Sequence, residues 1–142
     1  MTDIDTIKQD FAYLDDWEDR YRYVIELGKG LPDMPEHEKT ESAKVRGCAS
    51  QVWLVTETRP GAPGDPVMVF RGDSDAHIVR GLVAIVLAAA SGRRASEVET
   101  LDAAELLDGL GLGEHLTAQR ANGLRSMVAR IKAESAAARL AA

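Results

Sequence analysis

The chain runs to 142 residues, with 17 Lys and Arg against 23 Asp and Glu, a formal net charge of −6, and one cysteine. That length suits one domain over residues 1–142, able to bury roughly two-thirds of its unfolded surface, and the acidic balance offers no basic stripe to neutralise nucleic-acid phosphates. One thiol excludes an internal disulfide and an all-cysteine metal cage, and the longest strongly apolar run, residues 81–90, is too short to span a bilayer.

Met1 to Asp5 is acidic and carries no basic leader ahead of an apolar core, so a cytoplasmic protein without a signal peptide is the expectation. Ile4, Ile7, Phe11 and Leu14 recur at helical spacing behind a cap at Thr2 or Asp3. Asp15 and Asp16 interrupt that helix and cap a second over 17–27, with Trp17, Tyr21, Val24 and Ile25 facing inward and Gly28 as its stop. A turn-rich break at 30–35 leads into 36–44, whose charges lack apolar periodicity and read as a surface connection. Strand formers fill 51–58, the Pro/Gly-rich stretch 59–66 reads as a loop, and 67–70 returns as a second strand. So short a hairpin needs a third strand or covering helices, and 43–46 is the candidate strand.

Gly72-Asp73-Ser74-Asp75 reads as a turn opening a helix, capped by Asp73 or Ser74. From 78 to 90 that helix is apolar nearly all round apart from Arg80, the mark of a central helix, and Gly92 ends it. Ser96 reads as the cap of a short turn. Asp102 and Glu105 have capping-box spacing ahead of Leu106, Leu107 and Leu110, with Gly111 and Gly113 as stops. Thr117 caps the last helix, whose inner stripe is Leu124, Met127 or Val128, and Ile131, while the tail from Glu134 is alanine-rich and its end is expected to fray. Helices, a strand pair and helices again argue for an α+β fold, a small antiparallel sheet packed against several helices.

Cys48 stands between a polar stretch and the apolar run that begins at Val52. Gly47 permits positive φ, and Arg46 and Lys44 supply positive charge that favours a thiolate. Free cysteine is also among the most buried residue types. The residues alone therefore leave two readings open, an inert filler and a reactive sulfur. A cysteine nucleophile would want a histidine base, but nothing in the spacing brings His37, His77 or His115 to Cys48. His37 lies in the charged connection, His77 in the first turn of the central helix, and His115 in a loop. Three scattered histidines and one cysteine match no metal-ligand spacing, so no metal site is expected. The glycines at 28–30 and 109–113 follow helices and read as stops rather than phosphate cradles. Trp17 and Trp53 read as core, and Arg120 as a surface residue three positions after the Thr117 cap.

Val45-Arg46-Gly47-Cys48-Ala49-Ser50-Gln51-Val52-Trp53 closely resembles the (V/I)-x-G-C-x-S-Q-V-W segment of the SufE family, the sulfur-acceptor partners of cysteine desulfurases. The stretch from Trp17 to Gly28 resembles the family's W-E-x-(K/R)-Y-x-Y-(I/V)-I-E-L-G helix, and Leu31-Pro32 the turn after it. Gly72-Asp73-Ser74-Asp75-Ala76, Ile78-Val79 and Gly81-Leu82 resemble its G-D-S-D-A-x-I-V-(K/R)-G-L helix start. Leu116-Thr117, Arg120, Gly123-Leu124 and Met127 resemble its L-T-x-x-R-x-x-G-L-x-x-M pattern. The departures are the Pro/Gly-rich stretch 59–66 and the alanine-rich tail.

The resemblance implies a SufE/IscU-like fold and a covalent carrier without independent turnover. The thiolate of Cys48 would take the terminal sulfur of a persulfide held by a pyridoxal-phosphate (PLP) cysteine desulfurase of the SufS or CsdA type. It would then pass that sulfur to a SufBCD-type scaffold for iron–sulfur cluster assembly, stimulating the desulfurase. No cofactor is expected on this chain, since PLP belongs to the desulfurase. One thiol suffices, because a second nearby would attack the persulfide and end the relay. Arg46, Gly47, Ser50 and Gln51 are expected to form the hinge and thiolate environment, and Asp75 and Arg120 to serve partner docking or loop positioning. A non-covalent module that activates a desulfurase, with Cys48 incidental, is the alternative. Oligomeric state is left open, with a homodimer as one option.

Overall fold

The computed structural model describes residues 2–142. Helix α1 (Ile4–Tyr13) is followed by α2 (Trp17–Lys29) and a single 3₁₀ turn at Glu36–Glu38. Strands β1 (Val52–Ala62) and β2 (Asp65–Ser74) form a long hairpin, and α3 (His77–Ala90) follows. Strand β3 (Arg93–Arg94), α4 (Ala95–Val98), α5 (Ala103–Gly109) and α6 (Ala118–Ala141) complete the order. The α+β expectation holds, with an antiparallel sheet in the order β1-β2-β3.

Helix α3 is the centre, as its all-round apolar sequence predicts. Its Ile78, Leu82, Val83, Ile85, Val86 and Leu87 are buried, packed among β2, α2, α6 and α1. Each such side chain contributes about 1.5–3 kcal/mol when fully removed from water. Arg80 is the polar exception: its Nη2 is hydrogen-bonded, whereas its buried Nε has an ion-pair partner but no hydrogen bond among the described residues. Its guanidinium donates to Leu31 O at 2.6 Å and to Asp33 at 3.0 Å, while its Nε lies 3.4 Å from the buried Asp73 carboxylate. Asp73 also accepts from the backbone N–H of Met34 and of Ser74. Together the two charges fasten the 31–34 turn to the sheet, and neither is left buried alone.

Several expectations are corrected. Residues 59–66 are not a loop: both strands run through them, and only Pro63 and Gly64 turn the chain, Gly64 at φ +67°. Proline followed by a positive-φ glycine is a type II turn pattern. Pro60, Gly61 and Pro66 fall where the ladder register shifts between Arg59 and Ala62, so they cost no regular rung. Gly72 to Ser74 belong to β2, and α3 starts behind Ala76 with no side-chain cap, because Asp73 and Ser74 are engaged elsewhere. Ser96 caps nothing and binds the Asp65 carboxylate through its N–H and hydroxyl, tying the hairpin tip to α4. The alanine-rich tail is helical to Ala141, with Ser135 buried and Arg139 paired with Glu99.

Gly28 is not a helix stop. It is buried inside α2, where a Cβ would lie 2.7 Å from Gly81 N, and a Cβ on Gly81 would lie 2.1 Å from Val24 O. The two helices therefore touch backbone to backbone. Residues 43–46 supply the expected extra pairing as one bridge on the outer edge of β1, Lys44 to Trp53, flanked by Val45 N to Val52 O and Leu54 N to Ala43 O at 2.8 Å each. The strand that completes the sheet is β3, on the opposite side. Among the described residues no helix is long and apolar enough to cross a membrane.

Candidate functional site

The Val45–Val52 hydrogen bond closes the base of a loop with Cys48 near its tip. Gly47 bends the chain at φ +88°, and a Cβ there would lie 2.6 Å from Ser126 Oγ on α6. Both the turn and the close approach require glycine. Beyond it, Cys48 is half-buried, and its thiol donates toward Gly123 O at 3.7 Å. The sulfur borders a cleft of about 250 Å³ between the loop, α3 and α6. Val79, Leu82 and Met127 form its apolar wall, and Ser50, Gln119 and Arg120 its polar side.

Burial pushes the Cys48 thiol above its ordinary value. The expectation that Arg46 and Lys44 hold a thiolate is corrected here. Arg46 is exposed and enters no ion pair among the described residues, and Lys44 serves through its backbone. In this closed arrangement burial favours the neutral thiol.

Ser50 lines the cleft. Gln51 is held by its main chain: its N–H donates to Asp75 Oδ1 at 3.1 Å and its carbonyl accepts from Ser74 Oγ at 2.7 Å. Of the two roles expected for Asp75, contact with the loop is the one the geometry displays. Arg120 also reaches the site, since it lines the cleft while its N–H is capped by Thr117. It is half-buried rather than a plain surface residue. Arg46, Gly47, Ser50, Gln51, Asp75 and Arg120 thus lie in or beside one loop, although only Ser50 and Arg120 share the cleft with Cys48.

The histidines lie elsewhere. None lines the Cys48 cleft, and His115 stacks on Trp17 at 4.1 Å with 17° between the rings. Among the described residues no three His, Cys, Asp or Glu side chains gather as metal ligands. Trp53 is buried as expected, whereas Trp17 is only partly so. The functional surface that sequence reasoning missed is one face of α6. Gly123, Ser126 and Arg130 meet the loop at successive turns, and their spacing of three and four residues was the available signal.

A family model described as an Fe–S metabolism associated domain, SufE, matches residues 5–135. The chain belongs to the SufE family. A SufE-like protein of Rhizobium meliloti is 64% identical over 135 residues, spanning 95% of this chain and 96% of that one. The sulfur acceptor protein CsdE of Escherichia coli is 40% identical over 124 residues, spanning 87% of this chain and 81% of that one. A solution structure of a hypothetical protein from Thermus thermophilus superposes with TM-score 0.73 at 18% identity, over 95% of this chain and 94% of that one. At that identity the likeness shows the fold alone. The cysteine loop of this SufE-family chain is therefore set on the expected architecture, with α3 and α6 as its floor.

Proposed function

We propose that this chain is a covalent sulfur acceptor and carrier, with Cys48 as the accepting thiol. In the transfer, Cys48 loses its proton and the thiolate attacks the outer sulfur of a persulfide on a PLP-dependent cysteine desulfurase of the SufS or CsdA type. The donor's S–S bond breaks, its cysteine leaves as a thiolate, and a new S–S bond forms on Cys48. Sulfur moves with no net oxidation or reduction. A second exchange of the same kind delivers it to a SufBCD-type scaffold.

The observation that carries this reading is a single thiol near the tip of a loop closed at its base, lying over a small cleft with one apolar wall. The cleft shelters a bound sulfur from other thiols. Because burial raises the Cys48 thiol in the closed loop, leaving the cleft or meeting a cation favours the attacking thiolate. Such a gate ties reactivity to docking. The chain also resembles in sequence a relative named as a sulfur acceptor.

The test is intact mass after incubation with a desulfurase and cysteine. The wild type is expected to gain one or more sulfur masses and Cys48→Ser none. Stimulation of the desulfurase that survives Cys48→Ser, with no mass gain on the wild type, would replace the carrier with a non-covalent activator.

A further inference from the structure

We propose that Arg130 is a positioning residue for the Cys48 thiol, a latch that holds the lead-in of the loop against α6. Its guanidinium donates through Nη2 to Ser42 O at 2.7 Å and through Nη1 to Lys44 O at 3.2 Å. The remaining donor, Nε, meets Glu134 Oε1 at 3.0 Å. The other Glu134 oxygen accepts from Thr56 Oγ1 on β1. A planar fork with its carboxylate fixed from behind has its direction set, and charge-assisted hydrogen bonds of this kind are among the stronger ones.

The consequence follows from what else holds the loop. Residues 42–45 are tied to β1 by the Ala43 carbonyl and the Val45 N–H, and to α6 by Arg130. One turn along α6, Ser126 meets Gly47, and at the next turn Gly123 meets Cys48. A thiol donating at 3.7 Å is a weak bond and cannot hold the loop down alone. Arg130 supplies two directional ties to main-chain carbonyls on this face. With them cut, the loop keeps its rungs to β1 but can tilt away from α6, carrying the sulfur out of the cleft. What this does to sulfur transfer rests on the carrier reading above; the latch itself does not.

The experiment uses the full chain and the neutral alkylating agent iodoacetamide. Arg130→Met keeps the stem and removes the donors, and Arg130→Lys retains a cation that cannot span both carbonyls. Alkylation of Cys48 in Arg130→Met is expected at least about fivefold faster at neutral pH, the least that the loss of two such bonds implies. The inflection of its rate against pH should fall toward the ordinary thiol value of about 8.5. Arg130→Lys should lie between Arg130→Met and the wild type. A merely structural role would lower the melting temperature and leave that inflection in place. If Arg130→Met does not fold, the rate and inflection of Arg130→Lys decide. Wild-type rate and inflection in the folded variant overturn the latch and leave the carrier untouched. A wild type that takes up no sulfur overturns the carrier and leaves the latch standing.

Discussion

The Gly123 carbonyl and the Cys48 sulfur lie 3.7 Å apart, at a point where α6 presents no side chain. A Cβ built on Gly123 would stand 3.6 Å from the sulfur, an ordinary van der Waals contact. Alanine is therefore tolerated. Gly123→Ala is expected to raise stability by up to about 1 kcal/mol through helix propensity, with little change in thiol reactivity. Gly123→Leu would instead fill the cleft and displace Cys48. Urea melts and iodoacetamide alkylation check both, and slower alkylation of Gly123→Leu than of the wild type would contradict this picture.

Gly47 carries two constraints that can be separated. Gly47→Ala pays for positive φ, about 1–2 kcal/mol, and for the 2.6 Å approach to Ser126 Oγ. Ser126→Ala removes that hydroxyl oxygen and should recover the steric part while leaving the backbone part. Chemical denaturation of the two single variants and the double variant gives the coupling directly. Strict additivity would mean that the contact with Ser126 does not matter.

Cys48 should also mark the alkaline limb of stability. Burial raises its pKa in the folded chain above the unfolded value. Below the unfolded thiol value both states are protonated and the folded state keeps its full stability. As pH rises from there through the folded pKa, the unfolded chain binds fewer protons, so stability falls. Cys48→Ser is expected to flatten that decline, seen as melting temperature against pH. An equally steep decline in Cys48→Ser would assign it to other groups.

The contact between α2 and α3 makes glycine obligatory at Gly81. Alanine ordinarily stabilises a helix interior relative to glycine. Here its Cβ would lie 2.1 Å from Val24 O and force the helices apart. Gly81→Ala is expected to lose at least about 1–3 kcal/mol, the usual cost of overpacking, and Gly28→Ala less, since its closest approach is 2.7 Å. Because Val79 and Leu82 on α3 wall the cleft, Gly81→Ala should also speed Cys48 alkylation. A midpoint of urea unfolding equal to that of the wild type would refute the close approach.

The helical parts were legible because their signals are local. Asp3, Asp16, Asp102 and Thr117 each accept a backbone N–H where the spacing placed a cap. The apolar run of α3 likewise announced a central helix. The hairpin was not legible in full, because Pro60, Gly61 and Pro66 read as loop residues until a partner strand places them at a register shift. Ser135 and Arg139 hold down an alanine-rich tail through contacts that the local pattern does not carry. The thiol was found at once, but its environment was misread. Arg46, two residues away in sequence, is exposed, while Gly123 and Arg130 come from the far end of the chain. A motif singles out the thiol, and tertiary packing sets its surroundings.

The rung between Val45 and Val52 sets a leash. Cys48 is three residues from one end of it, and fully stretched chain covers at most about 3.6 Å per residue. Unless that rung breaks, the Cys48 backbone can wander no farther than about 11 Å from Val45. On the proposed carrier reading, a donor or recipient of sulfur must bring its own reactive centre that close to the sheet edge, so exchange calls for a protruding arm or an open, shallow mouth on the visiting protein.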